Sequence, residues 1–139
     1  MTFEQKNHLA YGLTSLIVLV AYLVWLFRQI QESPVEDIAY LGAILWAIGI
    51  GIVLNMILGA VARGTNLPEG DKKDIRDREI NRHGDAVGFY VFSIAAAGPL
   101  VLAMVGADQF WIANSLYVAY ALTAGIGSAA KLAAYRRGW

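Results

Sequence analysis

The sequence predicts an all-α integral membrane protein, an antiparallel four-helix bundle with both termini in the cytoplasm. Three observations carry this prediction. Hydrophobic residues make up 58% of the chain, charged residues only 16%, and the mean hydropathy is +0.50. Four long segments carry no charge at all, and the charged residues are concentrated between the second and the third of them. The apolar segments are continuous and do not alternate, so helices rather than strands satisfy their backbone groups in lipid.

The first span is predicted at residues 9–27. Thr2-Phe3-Glu4-Gln5 fits a capping box, in which Thr2 and Gln5 satisfy backbone donors at the start of a helix. The apolar residues that follow are enough to cross a hydrocarbon core about 30 Å thick, since a helix needs about 20 of them. Glu4 in the leading segment, the length of the apolar run and the lack of a small-residue cleavage site argue against a removed signal peptide.

The second span is predicted at residues 38–62. Ser33-Pro34-Val35-Glu36 fits another capping box, with Pro34 at the first helical position, where its missing N–H is not needed. Arg63-Gly64 ends the span, and residues 64–70 are predicted to form a loop.

A charged cytoplasmic helix is predicted at about residues 71–84. Asp71 fits its N-cap, and oppositely charged residues four apart support a helical conformation. These pairs are Lys73 with Asp77 and Asp74 with Arg78. The segment 71–88 holds five of the eleven basic and five of the eleven acidic residues, so polar chemistry is concentrated there.

The third and fourth spans are predicted at residues 86–107 and 110–130. Pro99 lies inside the third span and predicts a kink near it, because proline removes a helical hydrogen bond. Gly106-Ala107-Asp108 predicts a tight turn between the spans, with Asp108 as the N-cap of the fourth. The whole chain, residues 1–139, is expected to be one transmembrane domain, since no linker divides it.

The distribution of basic residues predicts the orientation. Lys6, the six basic residues from Arg63 to Arg82 and the three near the C-terminus fall on one predicted side, while Arg28 is alone on the other. The positive-inside rule then places both termini and the charged helix in the cytoplasm. We therefore expect a multi-pass protein of the inner (cytoplasmic) membrane.

Small residues four positions apart predict close contacts between helices. They occur on the second, third and fourth predicted helices. The predicted packing residues are Gly51, Asn55, Gly59, Gly84, Gly88 and Gly125. Packing within one bundle is the simpler interpretation, and a homodimer interface or a polar site is the alternative.

The residues argue against an enzyme. The chain has no cysteine, no nucleophile–base arrangement, no glycine-rich phosphate loop and no HExxH motif. His83 and Asp85 are two residues apart and so point away from each other on a helix, which disfavours a metal site. No cofactor and no direct nucleic-acid partner are predicted. No ionisable residue lies inside a predicted span, which disfavours proton-coupled transport.

The charged segment also resembles a known signature. Asp74-Ile75-Arg76-Asp77-Arg78-Glu79-Ile80, followed by Arg82-His83-Gly84-Asp85, is similar to the D-E-R-D-x-x-I motif before the third helix in a family of small bacterial and archaeal four-span membrane proteins of unknown function. Asp74, Arg76, Asp77 and Ile80 match, and Ile75 stands where the family usually has Glu. Members often look like neighbours of small helix-turn-helix regulators, so the resemblance implies a membrane partner for a soluble regulator.

The leading hypothesis is a non-enzymatic membrane protein that binds or regulates a partner through its charged cytoplasmic helix. Alternatives are a small dimeric transporter or channel and an accessory subunit of a larger membrane complex. The charged helix could also be only a connector that sets topology. The predicted partner-binding residues are Asp74, Arg76, Asp77, Arg78, Arg82 and Asp85.

The predicted orientation has a direct test by labelling with a membrane-impermeant thiol reagent, because the chain has no native cysteine. Single cysteines at Ser33 and Asp108 should react in intact cells. A cysteine at Lys73 should react only after the membrane has been opened. Labelling of Lys73→Cys in intact cells would overturn the orientation.

Overall fold

The computed structural model describes residues 3–64 and 75–138. Every regular element in these two ranges is helical. In chain order they are α1 (Phe3–Glu32), a 3-10 turn (Val35–Asp37), α2 (Tyr40–Gly64), α3 (Ile75–Ala95), α4 (Ala97–Met104) and α5 (Gln109–Arg136).

Four helical segments are long and apolar enough to cross a membrane. They are Glu4–Glu32, Tyr40–Gly64, Ile75–Met104 and Gln109–Arg136, and the third combines α3 with α4. The all-helical architecture is thus confirmed for the described residues, and the four segments are those of a multi-pass membrane protein. The structure also makes the charged residues from Ile75 onward continuous with the apolar part of α3.

Helix α5 is the common neighbour of the other helices. It packs along both α1 and α3 and also contacts α4, whereas α2 packs mainly against α1. Among the described residues, the largest buried cluster lies between α1 and α5 and is completed by Ile38, just before α2, and by Ala47 of α2. Its members are Leu19, Tyr22, Leu26, Ile38, Ala47, Phe110 and Tyr117.

Small residues bring α5 close to both of its long neighbours. A Cβ atom built on Gly12 of α1 would lie 2.9 Å from the Cβ of Ser128, and one built on Gly125 would lie 3.2 Å from Cδ2 of Leu16. Toward α3, a Cβ atom on Gly127 would lie 3.4 Å from the carbonyl oxygen of Gly84. Lipid tails supply no hydrophobic drive for helix association, so such close van der Waals packing is a main stabilising contribution.

The other predicted packing glycines lie in two different surroundings. Gly88 faces α5, with a built Cβ 3.5 Å from Cγ2 of Thr123, and Gly59 faces α1, with a built Cβ 3.6 Å from Oδ1 of Asn7. A Cβ on Gly51 would meet no described atom within 4 Å. Asn55 donates its side-chain N–H to the carbonyl of Gly51 at 2.9 Å, within its own helix.

The connection between α1 and α2 differs from the prediction. Of the residues 33–36 expected to form a capping box, Val35 and Glu36 belong to the 3-10 turn, and Pro34 is the N-cap of that turn, which has no side-chain cap hydrogen bond. Helix α2 begins only at Tyr40, because Ile38 is extended (φ −78°, ψ 119°) and its side chain, 5% exposed, is buried in the α1–α5 cluster. Burial of this side chain therefore takes precedence over local helix signals.

The third span is interrupted near Pro99. Helix α3 ends at Ala95, four residues before Pro99, and α4 begins at Ala97. The proline ring and the missing N–H of Pro99 both disturb the helical hydrogen bond to the carbonyl at position 95. After α4, Gly106 adopts a positive φ of 72°, and the N–H of Ala107 donates to the carbonyl of Leu102 at 2.9 Å. This pattern ends a helix with glycine in the left-handed region. Asp108 is the N-cap residue of α5, without a side-chain cap hydrogen bond.

The close contact at Gly12 predicts an overpacking effect. Gly12→Leu should lower the free energy of unfolding by about 1–3 kcal/mol, because the new side chain would overlap Ser128. Gly49→Leu on α2 is the matched control, since a Cβ there meets no described atom within 4 Å. Denaturant titration of both purified variants in the same detergent measures the difference. Equal stability of the two variants would contradict a tight α1–α5 contact.

Candidate functional site: a polar junction of three helices

A group of interacting polar side chains lies where the N-terminal parts of α1 and α3 meet the C-terminal part of α5. We call this group the polar junction. Its members are Glu4 and His8 on α1, Asp77, Asn81 and Asp85 on α3, and Lys131 and Tyr135 on α5. Ile80, which is fully buried, and Ala134, which is 4% exposed, form its apolar floor together with the Tyr135 ring.

Helical spacing explains why these residues meet. Asp77, Asn81 and Gly84 are four and three residues apart, so they share the face of α3 that also carries the buried Ile80. On α5, Lys131 follows Gly127 by four residues and Tyr135 follows Lys131 by four, which continues the same face. Each helix therefore presents one stripe to the junction.

A hydrogen bond ties α3 to α5. The Tyr135 hydroxyl donates to Oδ1 of Asp77 at 2.6 Å. Tyr135 is 7% exposed, and a bond to an ionised acceptor in such a setting is stronger than a neutral one. This contact fixes the position of the charged end of α3 relative to α5.

An ion pair joins the same two helices at a position closer to the C-terminal end of α3. Nζ of Lys131 lies 2.7 Å from Oδ1 of Asp85, and the side chains are 16% and 72% exposed. The Lys131 stem passes directly over Gly84, where a built Cβ would lie 2.6 Å from the Lys131 Cε. Because Asp85 is so exposed, the pair contributes little by charge alone. Glycine at position 84 provides the space through which Lys131 reaches it.

His8 contributes a buried imidazole to the junction. It is 9% exposed, and its ring centroid lies 6.4 Å from that of Tyr135. Its Nε2 is 3.7 Å from Oε2 of Glu4, one turn earlier on α1. Among the described residues, Nε2 has no hydrogen-bond partner. Asn81 of α3 faces the same imidazole.

The structure divides the predicted partner-binding residues into two groups. Asp77 and Asp85 contact α5, as described above. Arg76, Arg78 and Arg82 are exposed. Asp74 lies outside the described residues.

The junction residues of α1 and α5 were not predicted as site residues from the sequence. In the sequence, His8 lies just before the first predicted span, and Lys131 is one of the three basic residues near the C-terminus. One signal was present: Glu4 and His8, and likewise Lys131 and Tyr135, are four residues apart at helix ends. That spacing alone does not identify which neighbouring helix completes the site.

A second polar contact lies deeper, in the α1–α5 cluster. The Tyr22 hydroxyl donates to Oδ1 of Asn114, and the Asn114 side-chain N–H donates to the carbonyl of Phe110 at 2.8 Å. Thr123 likewise donates to the carbonyl of Ala119 at 2.8 Å. Polar side chains of α5 are thus hydrogen-bonded to carbonyl groups of their own helix or to a neighbouring helix.

Comparisons with known proteins add no family or fold relative. No family model matches the chain, and neither the curated proteins nor the solved structures contain a match. The resemblance to small four-span membrane proteins with a D-E-R-D-x-x-I motif therefore stays an expectation.

The hydrogen bond between Tyr135 and Asp77 predicts a measurable loss of stability. Tyr135→Phe should lower the free energy of unfolding by about 1–3 kcal/mol, because the carboxylate loses a donor in a partly buried site. Tyr120→Phe is the matched control, since Tyr120 is 60% exposed and its ring remains in the variant. Thermal unfolding in detergent compares the two. Equal unfolding temperatures would show that the bond contributes nothing.

Proposed function

We propose that this protein is a non-enzymatic component of the inner membrane that binds a soluble regulatory partner through the charged N-terminal part of α3. The division of charges on this helix carries the proposal. Two of its acidic side chains, Asp77 and Asp85, contact α5, while Arg76, Arg78 and Arg82 are exposed. Glu79 is exposed as well. Three arginines against this one acidic side chain leave a mainly basic surface for a partner.

The proposed topology is an antiparallel bundle with both termini in the cytoplasm. Two pairs of contacts support it. Gly12 near the start of α1 meets Ser128 near the end of α5, while Tyr22, later on α1, bonds to Asn114, earlier on α5. The positive-inside rule then assigns the basic end, with Lys6 and the charged part of α3, to the cytoplasm.

The proposed partner surface has a stated chemistry. Arg78 and Arg82 are four residues apart and lie on one flank of α3, and Arg76 lies on the other. A positive surface accelerates encounter with an acidic partner and disfavours basic ones. We therefore propose a soluble partner with an acidic docking face.

The polar junction connects the proposed docking surface to the membrane-spanning helices. The bond from Tyr135 to Asp77 and the pair of Lys131 with Asp85 fix the charged part of α3 on α5. The same helix continues to the interruption between Ala95 and Ala97. A partner that binds the arginines would therefore act on α3 and α5 together, since the two helices are joined at the junction.

A second candidate function is a small dimeric transporter or channel. One observation favours it: an open cavity with polar residues lies between α1, α2 and α5. Solute flux in proteoliposomes made from the purified protein would support this function. Co-purification of larger membrane subunits would instead support an accessory role in a membrane complex.

Replacement of the exposed arginines tests the partner proposal. In the triple variant Arg76→Gln, Arg78→Gln and Arg82→Gln, a soluble protein that co-purifies with the parent from native membranes should be lost. Neutral glutamine is used because it removes the attraction and introduces no repulsion. Quantitative mass spectrometry of the purified material measures the loss.

The double variant Arg136→Gln and Arg137→Gln is the matched control, because it removes exposed positive charge from the neighbouring helix end. It should keep the partner. Asp77 is left unchanged in all variants, since it accepts the Tyr135 hydrogen bond. An unchanged set of co-purified proteins in the triple variant would show that this segment is only a connector.

A further inference from the structure

The charge pattern of α3 locates the point at which this helix enters the hydrocarbon of a membrane. Residues 86–105 contain no Asp, Glu, Lys, Arg or His, and they follow the charged part of α3 directly. At 1.5 Å per residue this segment is about 30 Å long, which matches the hydrocarbon core of a bilayer. The head groups add about 5–7 Å on each side, because the whole bilayer is about 40–45 Å thick. The edge of the hydrocarbon therefore lies near Ala86.

Two exposed aromatic residues agree with this position. Phe89 and Tyr90 are each 68% exposed, and their ring centroids lie 6.2 Å apart in an edge-to-face arrangement. Tyrosine is enriched at membrane–water interfaces, because its ring is apolar and its hydroxyl is polar. Both rings follow Ala86 by about one helical turn. They therefore lie just inside the edge that the charge pattern gives.

The three exposed arginines of α3 lie at different distances from this edge. Arg82 precedes Ala86 by four residues, which is about 6 Å along the helix axis and within the head-group layer. Arg78 and Arg76 are about 12 and 15 Å from the same edge. Arg82 is thus at the depth of the lipid phosphates, whereas Arg76 is in water, within reach of a soluble protein.

The surroundings of Arg82 favour an anion. Neither Arg78 nor Arg82 forms an ion pair with another residue that the structure describes. Asp85 also lies at head-group depth, but its Oδ1 is 2.7 Å from Nζ of Lys131, which compensates its charge. Glu79 is exposed three residues before Arg82 and opposes the charge of one arginine. One positive charge therefore remains on this part of the helix surface.

Apolar surface continues from Arg82 toward the membrane. Arg82 and Phe89 are seven residues apart, so they share one side of α3, opposite the buried Ile80 and Gly84. A phospholipid along this side places its phosphate at Arg82 and an acyl chain at Phe89. A guanidinium group matches a phosphate, because two parallel N–H groups can donate to two of its oxygens. Farther out, the positive charge of Arg78 disfavours a cationic group beyond the phosphate, such as choline.

We propose that Arg82 binds the phosphate of an anionic phospholipid in the leaflet around the charged part of α3, with an acyl chain against Phe89. Arg78 selects a head group without positive charge. This lipid site does not rest on the proposed function. It divides the arginines of α3 by depth, and it leaves Arg76 to a soluble partner.

Lipid retention by the purified full-length protein tests the proposal. The protein is reconstituted in nanodiscs with equal amounts of phosphatidylcholine and phosphatidylglycerol that have identical acyl chains. After transfer to detergent, native mass spectrometry measures the ratio of the two lipids that stay bound. The parent protein should retain phosphatidylglycerol in preference to phosphatidylcholine. Equal retention of the two lipids by the parent would overturn the proposal.

A matched pair of variants locates the site on Arg82. Arg82→Gln should reduce the ratio of bound phosphatidylglycerol to phosphatidylcholine about fivefold, since the variant loses one basic residue near the anionic surface. Arg76→Gln makes the same change about 9 Å farther out and should leave the ratio unchanged. Arg82→Lys should keep most of the preference, because it keeps the charge. Equal ratios in Arg82→Gln and Arg76→Gln would show that the lipid responds only to total charge, against the proposal.

A third variant keeps the test decisive if Arg82→Gln does not fold, which size-exclusion chromatography and circular dichroism establish. Glu79→Gln removes the opposing carboxylate and should raise the ratio, and a lowered ratio would contradict the proposal. The nanodiscs contain no soluble partner, so the result is separate from that of the proposed function. Loss of the partner in the triple arginine variant, with an unchanged lipid ratio in Arg82→Gln, would overturn the lipid site alone.

Discussion

The close packing of α5 against α1 and α3 is the contact on which the rest of the structure depends. In lipid, apolar side chains gain little from leaving their surroundings, so helices associate through shape and polar bonds. Helix α5 presents small residues in two directions, with Gly125 and Ser128 toward α1 and Gly127 toward α3. The two neighbours are thereby placed on either side of one helix.

This packing also determines where polar side chains can lie. Tyr22 reaches Asn114, and Tyr135 reaches Asp77, only because the helix pairs are held in close contact. A hydrogen bond in such a poorly solvated setting is electrostatically stronger than in water, and an unpaired group costs correspondingly more. Nε2 of His8 has Glu4 as an ion-pair neighbour at 3.7 Å but no hydrogen bond among the described residues.

The helices were predictable from sequence, because an uncharged apolar segment of about 20 residues is typical of a membrane-spanning helix. The start of α2 was not, since the buried Ile38 decides it through contacts with α1 and α5. At Gly84, Gly88 and Gly125, which small-residue spacing selects, a built Cβ would lie within 4 Å of a side chain of a neighbouring helix.

The hydrogen-bonded pairs of side chains between helices could not be predicted in the same way. Asp77 and Tyr135 are 58 residues apart, and Tyr22 and Asn114 are 92 apart. Helix α5 packs against two neighbours, so small residues on two of its faces make contacts. The predicted stripe with Gly125 lies on the face toward α1, and Gly127, on the face toward α3, was not predicted. Gly12 of α1, which faces Ser128, was not predicted either.

The central place of α5 has a consequence for synthesis. A ribosome adds about 5–20 residues per second, so Ser128 follows Gly12 after a delay on the order of ten seconds. During that interval α1 is already made, yet the surface on which it will pack does not exist. Until α5 is made, α1 and α2 therefore have each other as their main packing partner. The arrival of the last described helix converts this early hairpin into the final assembly.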